Sequence, residues 1–105
     1  MQLSRRMQKL ASLVTEGNRL ADVGTDHGYI PIALVQAGKI PSAIAMDVNR
    51  GPLARAEAHI REAGLATYIE TRLSDGLREL GAEDADTVLI AGMGGMLILR
   101  ILTEG

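Results

Sequence analysis

Four aspartates, Asp22, Asp26, Asp47 and Asp75, fall at or just past the ends of apolar runs, and glycines cluster around them at Gly24, Gly28 and Gly76. A further cluster, Gly92-Met93-Gly94-Gly95, follows a fourth apolar run. A carboxylate at the end of a strand can accept hydrogen bonds from two ribose hydroxyls or from an amino group, and it attracts cations. Glycines beside it let the chain turn sharply and let a ligand approach the backbone. The chemistry that suits this pattern is nucleoside binding in a crevice beyond the carboxyl ends of parallel strands.

The charges narrow the ligand. In a dinucleotide fold the second glycine of G-x-G-x-x-G lets a pyrophosphate approach a helix N-terminus, and here Asp26 takes that place. A carboxylate repels a phosphate by about 1 kcal/mol at contact in water and by several-fold more where water is partly excluded. NAD and FAD are therefore disfavoured, and a nicotinamide-dependent oxidoreductase becomes a distant alternative. S-adenosyl-L-methionine has no phosphate and carries a sulfonium and an ammonium against one carboxylate, so acids attract it. By position, Asp47 suits a bidentate bond to the ribose hydroxyls and Asp75 suits the adenine amino group. Each of these residues also has a structural reading: Asp26 and Asp75 can cap the turns that follow them, His27 can be a satisfied helix-start residue, and Gly92 to Gly95 can be a tight turn. The functional reading of that glycine cluster is a backbone platform close to reacting atoms.

Alternating strands and helices must hold these groups. Leu20–Val23 is a short apolar strand, Tyr29–Ala37 a helix closed by Gly38, and residues 42–46 a second strand ending in Asp47, 25 residues after Asp22. Gly51-Pro52 opens a helix with Leu53, Ala56, Ile60 and Ala63 as its buried stripe. A third strand over 68–73, a short helical turn through Leu80 and a fourth strand over 87–91 follow, and the apolar segment 96–102 is expected to be helical. Ahead of all this, residues 4–16 are expected to form a helix with Leu3, Met7, Leu10 and Val14 on one side and Ser4 as its cap. Its other side carries Arg5, Arg6 and Lys9, which form either a solvated face or a patch that contacts phosphates. The fold class is α/β, a parallel sheet with helices on both faces, ending after about four strands.

The chain has 105 residues, 47% of them hydrophobic, a formal net charge of -2 and no cysteine. That length suits one domain, 1–105, and the missing thiols with two separated histidines argue against a metal site. No signal-peptide core or membrane-length apolar run is present, so a cytoplasmic protein without a membrane partner is expected. The net charge gives no global pull towards nucleic acid, so local patches must supply it. The last apolar segment needs a partner layer, which points to a longer parent chain or to self-association.

In order, the acid-and-glycine motifs resemble class I S-adenosylmethionine-dependent methyltransferases. Leu3-Ser4-Arg5-Arg6-Met7, Ala21-Asp22-Val23-Gly24-Thr25-Asp26-His27-Gly28-Tyr29-Ile30-Pro31, Asp47-Val48-Asn49-Arg50-Gly51-Pro52-Leu53, Arg72-Leu73-Ser74-Asp75-Gly76-Leu77 and Ile90-Ala91-Gly92-Met93-Gly94-Gly95 are similar to the bacterial TrmK family. The resemblance implies methyl transfer to N1 of adenine at the twenty-second nucleotide of tRNA. It implies a Rossmann-like fold, here its N-terminal part, without the remaining strands or the C-terminal helical domain suited to tRNA. It places the cofactor against Asp22, Gly24, Thr25, Asp26, Asp47, Val48, Asp75 and Gly76, and Gly92 to Gly95 near the transferred methyl. Asp26 and the backbone of Gly92, Met93, Gly94 and Gly95 are then candidates to hold the target base, His27 to position it, and Arg5, Arg6 and Lys9 to hold tRNA phosphates. With no Phe or Trp in the chain, stacking on a base must come from Tyr29, which also reads as core or pocket wall, or from sequence beyond these residues. A non-catalytic, cofactor-binding or self-associating fragment remains the alternative from another class.

Overall fold

In a computed structural model, residues 3–25, 27–81, 83–92 and 95–100 are described, with the backbone alone for residues 6, 91, 92 and 95–100. The order is α1 (Arg5–Ser12), β1 (Leu20–Val23), α2 (Tyr29–Gln36), β2 (Ala43–Asp47), α3 (Arg50–Glu62), β3 (Ile69–Leu73), β4 (Thr87–Gly92) and β5 (Gly95–Arg100). The sheet order is β3-β2-β1-β4-β5. The first four strands are parallel and β5 is antiparallel to β4. Consecutive units thus leave β1 in opposite directions, β2 on one side and β4 on the other, the switch point beyond whose carboxyl ends open α/β sheets bind their ligands.

Burial follows from position. Every residue of β1 and β2 is buried, while the outer strand β3 mixes buried and exposed residues. Because strand side chains alternate between faces, Leu20, Ala43, Ala45, Ile69 and Leu89 make one apolar layer. Against it pack Leu3, ahead of α1, with Met7, Leu10 and Ala11 of α1, Ile30, Ile32, Leu34 and Val35 of α2, and Ile60 of α3. The other face carries Ala21, Val23, Ile44, Met46 and Val88, and its cover comes from Leu80 and Ala85 in the connection between β3 and β4.

Four expectations change. Helices were expected on both faces, but among the described residues all three join the first layer. The turn through Leu80 is not helical: the Ser74 hydroxyl accepts from the Glu79 N–H at 3.1 Å and donates to the Gly76 carbonyl at 2.8 Å, which curls the chain locally. The first helix ends at Ser12 rather than at 16. There Lys39 Nζ donates to the Ala11 and Ser12 carbonyls at 3.0 and 3.2 Å, a cation on the helix C-terminus, and Gly17, at φ 84°, donates its N–H to the Lys39 carbonyl at 2.7 Å. At its start, Ser4 Oγ accepts from the Met7 N–H as expected.

The fourth change is β5. Residues 95–100 form a strand rather than the start of a helix, paired from Gly92 with Gly95 through Thr87 with Arg100, and the sheet therefore has five strands. A run that is apolar at nearly every position has no period to separate helix from strand, and pairing with the edge of β4 decides it.

Candidate functional site

The loop after β1 is pinned from two sides. The N–H groups of Gly24 and Thr25 both donate to the Met46 carbonyl of β2, at 2.8 and 2.9 Å, and the Gly28 N–H donates to the Thr25 carbonyl at 3.1 Å. Gly24 and Gly28 hold φ values of 77° and 75°, a left-handed geometry in which a side chain is strained. A Cβ on Gly28 would also lie 3.3 Å from the Ala56 Cβ, a tight contact that a small shift of α3 would have to relieve, so the start of α2 lies close against α3.

Within this frame two acids come together. Asp22 lies opposite Ala45 in the β1–β2 pairing, and Asp47 follows Ala45 by two residues, so both carboxylates point to the helix-covered face as diagonal neighbours. They are only 3% and 7% exposed. Thr25, itself buried, donates its hydroxyl to Asp22 Oδ2 at 2.9 Å. Burial pushes the Asp22 carboxyl up to about 7, the Thr25 bond opposes that shift, and the nearby Asp47 charge adds to it. At neutral pH, Asp22 is thus poised between its acid and its carboxylate, and a cation placed beside it would draw it to the charged form.

Asp47 closes β2 in an Asx turn, its Oδ1 accepting from the Asn49 N–H at 3.0 Å. Its carbonyl accepts from the Ser74 N–H at 2.9 Å, which brings the end of β3 to the same edge. Beside it Val48 is 58% exposed, an apolar surface next to the acid. Asp75 and Gly76 are exposed beyond β3, with Gly76 at φ 61°. The side chain that bonds within that turn is Ser74 rather than Asp75, whose side chain is exposed.

The remaining predicted residues divide. Gly92 and Gly95 face each other at the ends of β4 and β5, whereas Asp26, Met93 and Gly94 lie outside the described residues. Half-buried His27 stacks on Tyr29 with ring centroids 4.9 Å apart. Arg5 and Lys9 are exposed on α1, where the described contacts bring neither to the acids, and the side chain of Arg6 lies outside the described residues. Two contributors carried no assignment from sequence. Ser74 was visible in the Ser-Asp-Gly run, but its buried hydroxyl was not. His59 on α3 had no local signal, and its Nδ1 donates to the His27 carbonyl at 2.8 Å.

A parallel sheet whose strand order reverses beside β1, with buried acids at its carboxyl edge, defines a Rossmann-like α/β domain. A family model described as "Methyltransferase domain" matches residues 3–105. The chain belongs to that methyltransferase family. It is 39% identical over 105 residues to the tRNA (adenine(22)-N(1))-methyltransferase of Bacillus subtilis (strain 168), covering 100% of this chain and 44% of that one. A solved protein of the NADB-Rossmann superfamily from Streptococcus agalactiae superposes with a TM-score of 0.85 at 46% identity, over 90% of this chain and 42% of that one. A Streptococcus pneumoniae protein assigned as a tRNA (m1A22) methyltransferase, solved in complex with S-adenosyl-L-methionine, superposes with a TM-score of 0.84 at 42% identity, over 89% and 44% of the two chains. The chain thus spans less than half the length of these relatives. Among the described residues no helix is long and apolar enough to cross a membrane.

Proposed function

We propose that the protein carrying this sequence is a cytoplasmic enzyme that transfers a methyl group from S-adenosyl-L-methionine to N1 of an adenine in tRNA, and that this chain is its cofactor-binding part. The observation that carries the reading is the likeness, along the whole of this chain, to a relative named for that reaction. The donor set fits the cofactor. Two neighbouring buried acids, one held near 7 by burial, suit a cationic ligand bearing a diol and oppose a pyrophosphate.

Asp47 would hold the ribose hydroxyls, Val48 would lie against the adenine ring and Asp75 would accept from its amino group. Asp22 and Thr25, with the backbone of Gly24 and Gly76, would line the remainder of the pocket, and Asp26 is assigned to the same loop. When bound, the cofactor supplies an electrophilic methyl group. Adenine N1 already has a free lone pair, so no residue must first remove a proton. The work left to the protein is orientation and charge: Asp26 and the backbone of Gly92 to Gly95 would hold the base, with His27 positioning it, at near-attack distances of roughly 3–3.5 Å. Arg5, Arg6 and Lys9 would hold tRNA phosphates while the target base leaves its stack.

Incubation of the protein with unmodified tRNA and labelled cofactor, followed by mass-spectrometric mapping, tests the reading. Methyl on adenine N1 is expected, and methyl on another base, or none, overturns it. A second reading is favoured by the share of the relatives that is covered: the 105 residues alone bind cofactor without catalysing transfer. Turnover by the isolated chain rules that out.

A further inference from the structure

The chain has four aromatic side chains, His27, Tyr29, His59 and Tyr68, and three of them meet in one place. His27 and Tyr29 stack with centroids 4.9 Å apart and planes 11° apart. His59 lies 5.6 Å from His27 and 5.5 Å from Tyr29, tilted by 29° and 20°. In a column of three rings the outer pair would be twice as far apart as the neighbours. Three nearly equal separations instead describe a compact cluster of offset stacks, each ring partly overlapping its neighbours, and all three residues are half-buried.

The cluster is held from several directions. The His27 carbonyl can only accept, so the 2.8 Å contact puts the His59 proton on Nδ1 and fixes that ring. His59 is three residues beyond Ala56 and so shares its side of α3, the side brought against α2 by Gly28. The Gly28 N–H bond to the Thr25 carbonyl then ties the rings to the loop that holds Asp22. Neither of the two apolar clusters that form the core contains any of the three rings.

We propose that the His27–Tyr29–His59 face is a stacking subsite for a nucleobase of single-stranded RNA, beside the acid site. The proposal rests on the reading above that the substrate is RNA. A π face accepts any base, and positions an unstacked nucleotide without reading its sequence.

The test uses the full-length protein that carries this sequence and a labelled single-stranded oligoadenylate followed by fluorescence anisotropy, with calorimetry of S-adenosylhomocysteine alongside. Tyr29→Leu should weaken RNA binding at least about tenfold, and Tyr29→Phe should keep it within about twofold, since the ring and not the hydroxyl is needed. An oligonucleotide of equal charge with abasic residues should bind the unaltered chain at least about tenfold more weakly, an arm that no misfolded variant can confuse. Equal binding of the abasic strand, equal loss in both Tyr29 variants, or no RNA binding at all overturns the subsite. Failure to bind S-adenosylhomocysteine counts against the cofactor reading alone.

Discussion

The two ends of the parallel strands treat an aspartate in opposite ways. At the amino end Asp86, just before β4, is clamped to Arg19, just before β1. Its Oδ2 accepts from the Arg19 N–H at 2.8 Å and from Nε at 3.2 Å, and its Oδ1 accepts from a terminal guanidinium nitrogen at 3.2 Å. The Arg19 carbonyl accepts in return from the N–H groups of Asp86 and Thr87, and Asn18 adds a side-chain bond to Thr87 Oγ1. These bonds hold the Asp86 carboxyl below the usual range, the Arg19 side chain being the largest cause. At the carboxyl end burial drives Asp22 up to about 7, with Asp47 adding to the rise. The fold satisfies the charge of one acid and resists the charge of the other. Only the second has electrostatic energy left for a ligand to recover.

The largest effect expected from this contrast is on stability against pH. The folded-state value of Asp22, about 7, lies above its usual 3.8, so between the two the folded chain keeps a proton that the unfolded chain releases. Stability therefore falls as pH rises through that window, by about 4 kcal/mol from Asp22 alone, and levels off above it. Asp22→Asn still accepts from Thr25 but has no charge to form, so its profile should lose this fall and it should be the more stable protein above neutral pH. Urea denaturation of both proteins across the window measures the difference. Parallel profiles would mean that Asp22 ionises as freely as a surface acid.

The acids themselves were legible in sequence, because a charge that ends an apolar run stands out. What distinguishes Asp22 from Asp86 was not, since it depends on which side chains arrive from elsewhere in the chain. The same limit governs the elements. β1, β2 and β4 could be read from apolar runs that stop at an acid or a glycine, whereas residues 95–100 are apolar at nearly every position and took their structure from pairing with β4. The end of α1 depends on Lys39, 27 residues beyond Ser12, and the ring cluster on His59, 32 residues beyond His27, so neither has a local signature.

A smaller effect is expected on ligand binding at the carboxyl end. Asp47→Ala should weaken S-adenosyl-L-methionine binding by roughly 1–3 kcal/mol, the scale for losing a charged hydrogen-bond partner. Because Asp47 Oδ1 also accepts from the Asn49 N–H, the alanine variant disturbs the turn as well. Asp47→Asn keeps an acceptor for that N–H and removes only the charge, so it separates the two losses. Calorimetry with both variants decides the point, and unchanged affinity in both would remove Asp47 from the cofactor site.

The smallest effect is expected at the amino end, and it should appear in stability alone. Asp86→Ala removes the acceptor for the Arg19 N–H and breaks a half-exposed ion pair, which together are worth about 1 kcal/mol at neutral pH. Asp86 is held below its usual range, so its contribution is present above the unfolded-state value and is lost as pH falls through the folded-state one. The difference from the unaltered chain should therefore vanish in strong acid, where the Asp22 penalty is also absent. Cofactor affinity should be unchanged, since Asp86 stands at the far end of the strands. A loss of affinity in Asp86→Ala as large as that in Asp47→Ala would mean that the two ends are coupled through β1 and β4, and the division between a structural end and a binding end would fail.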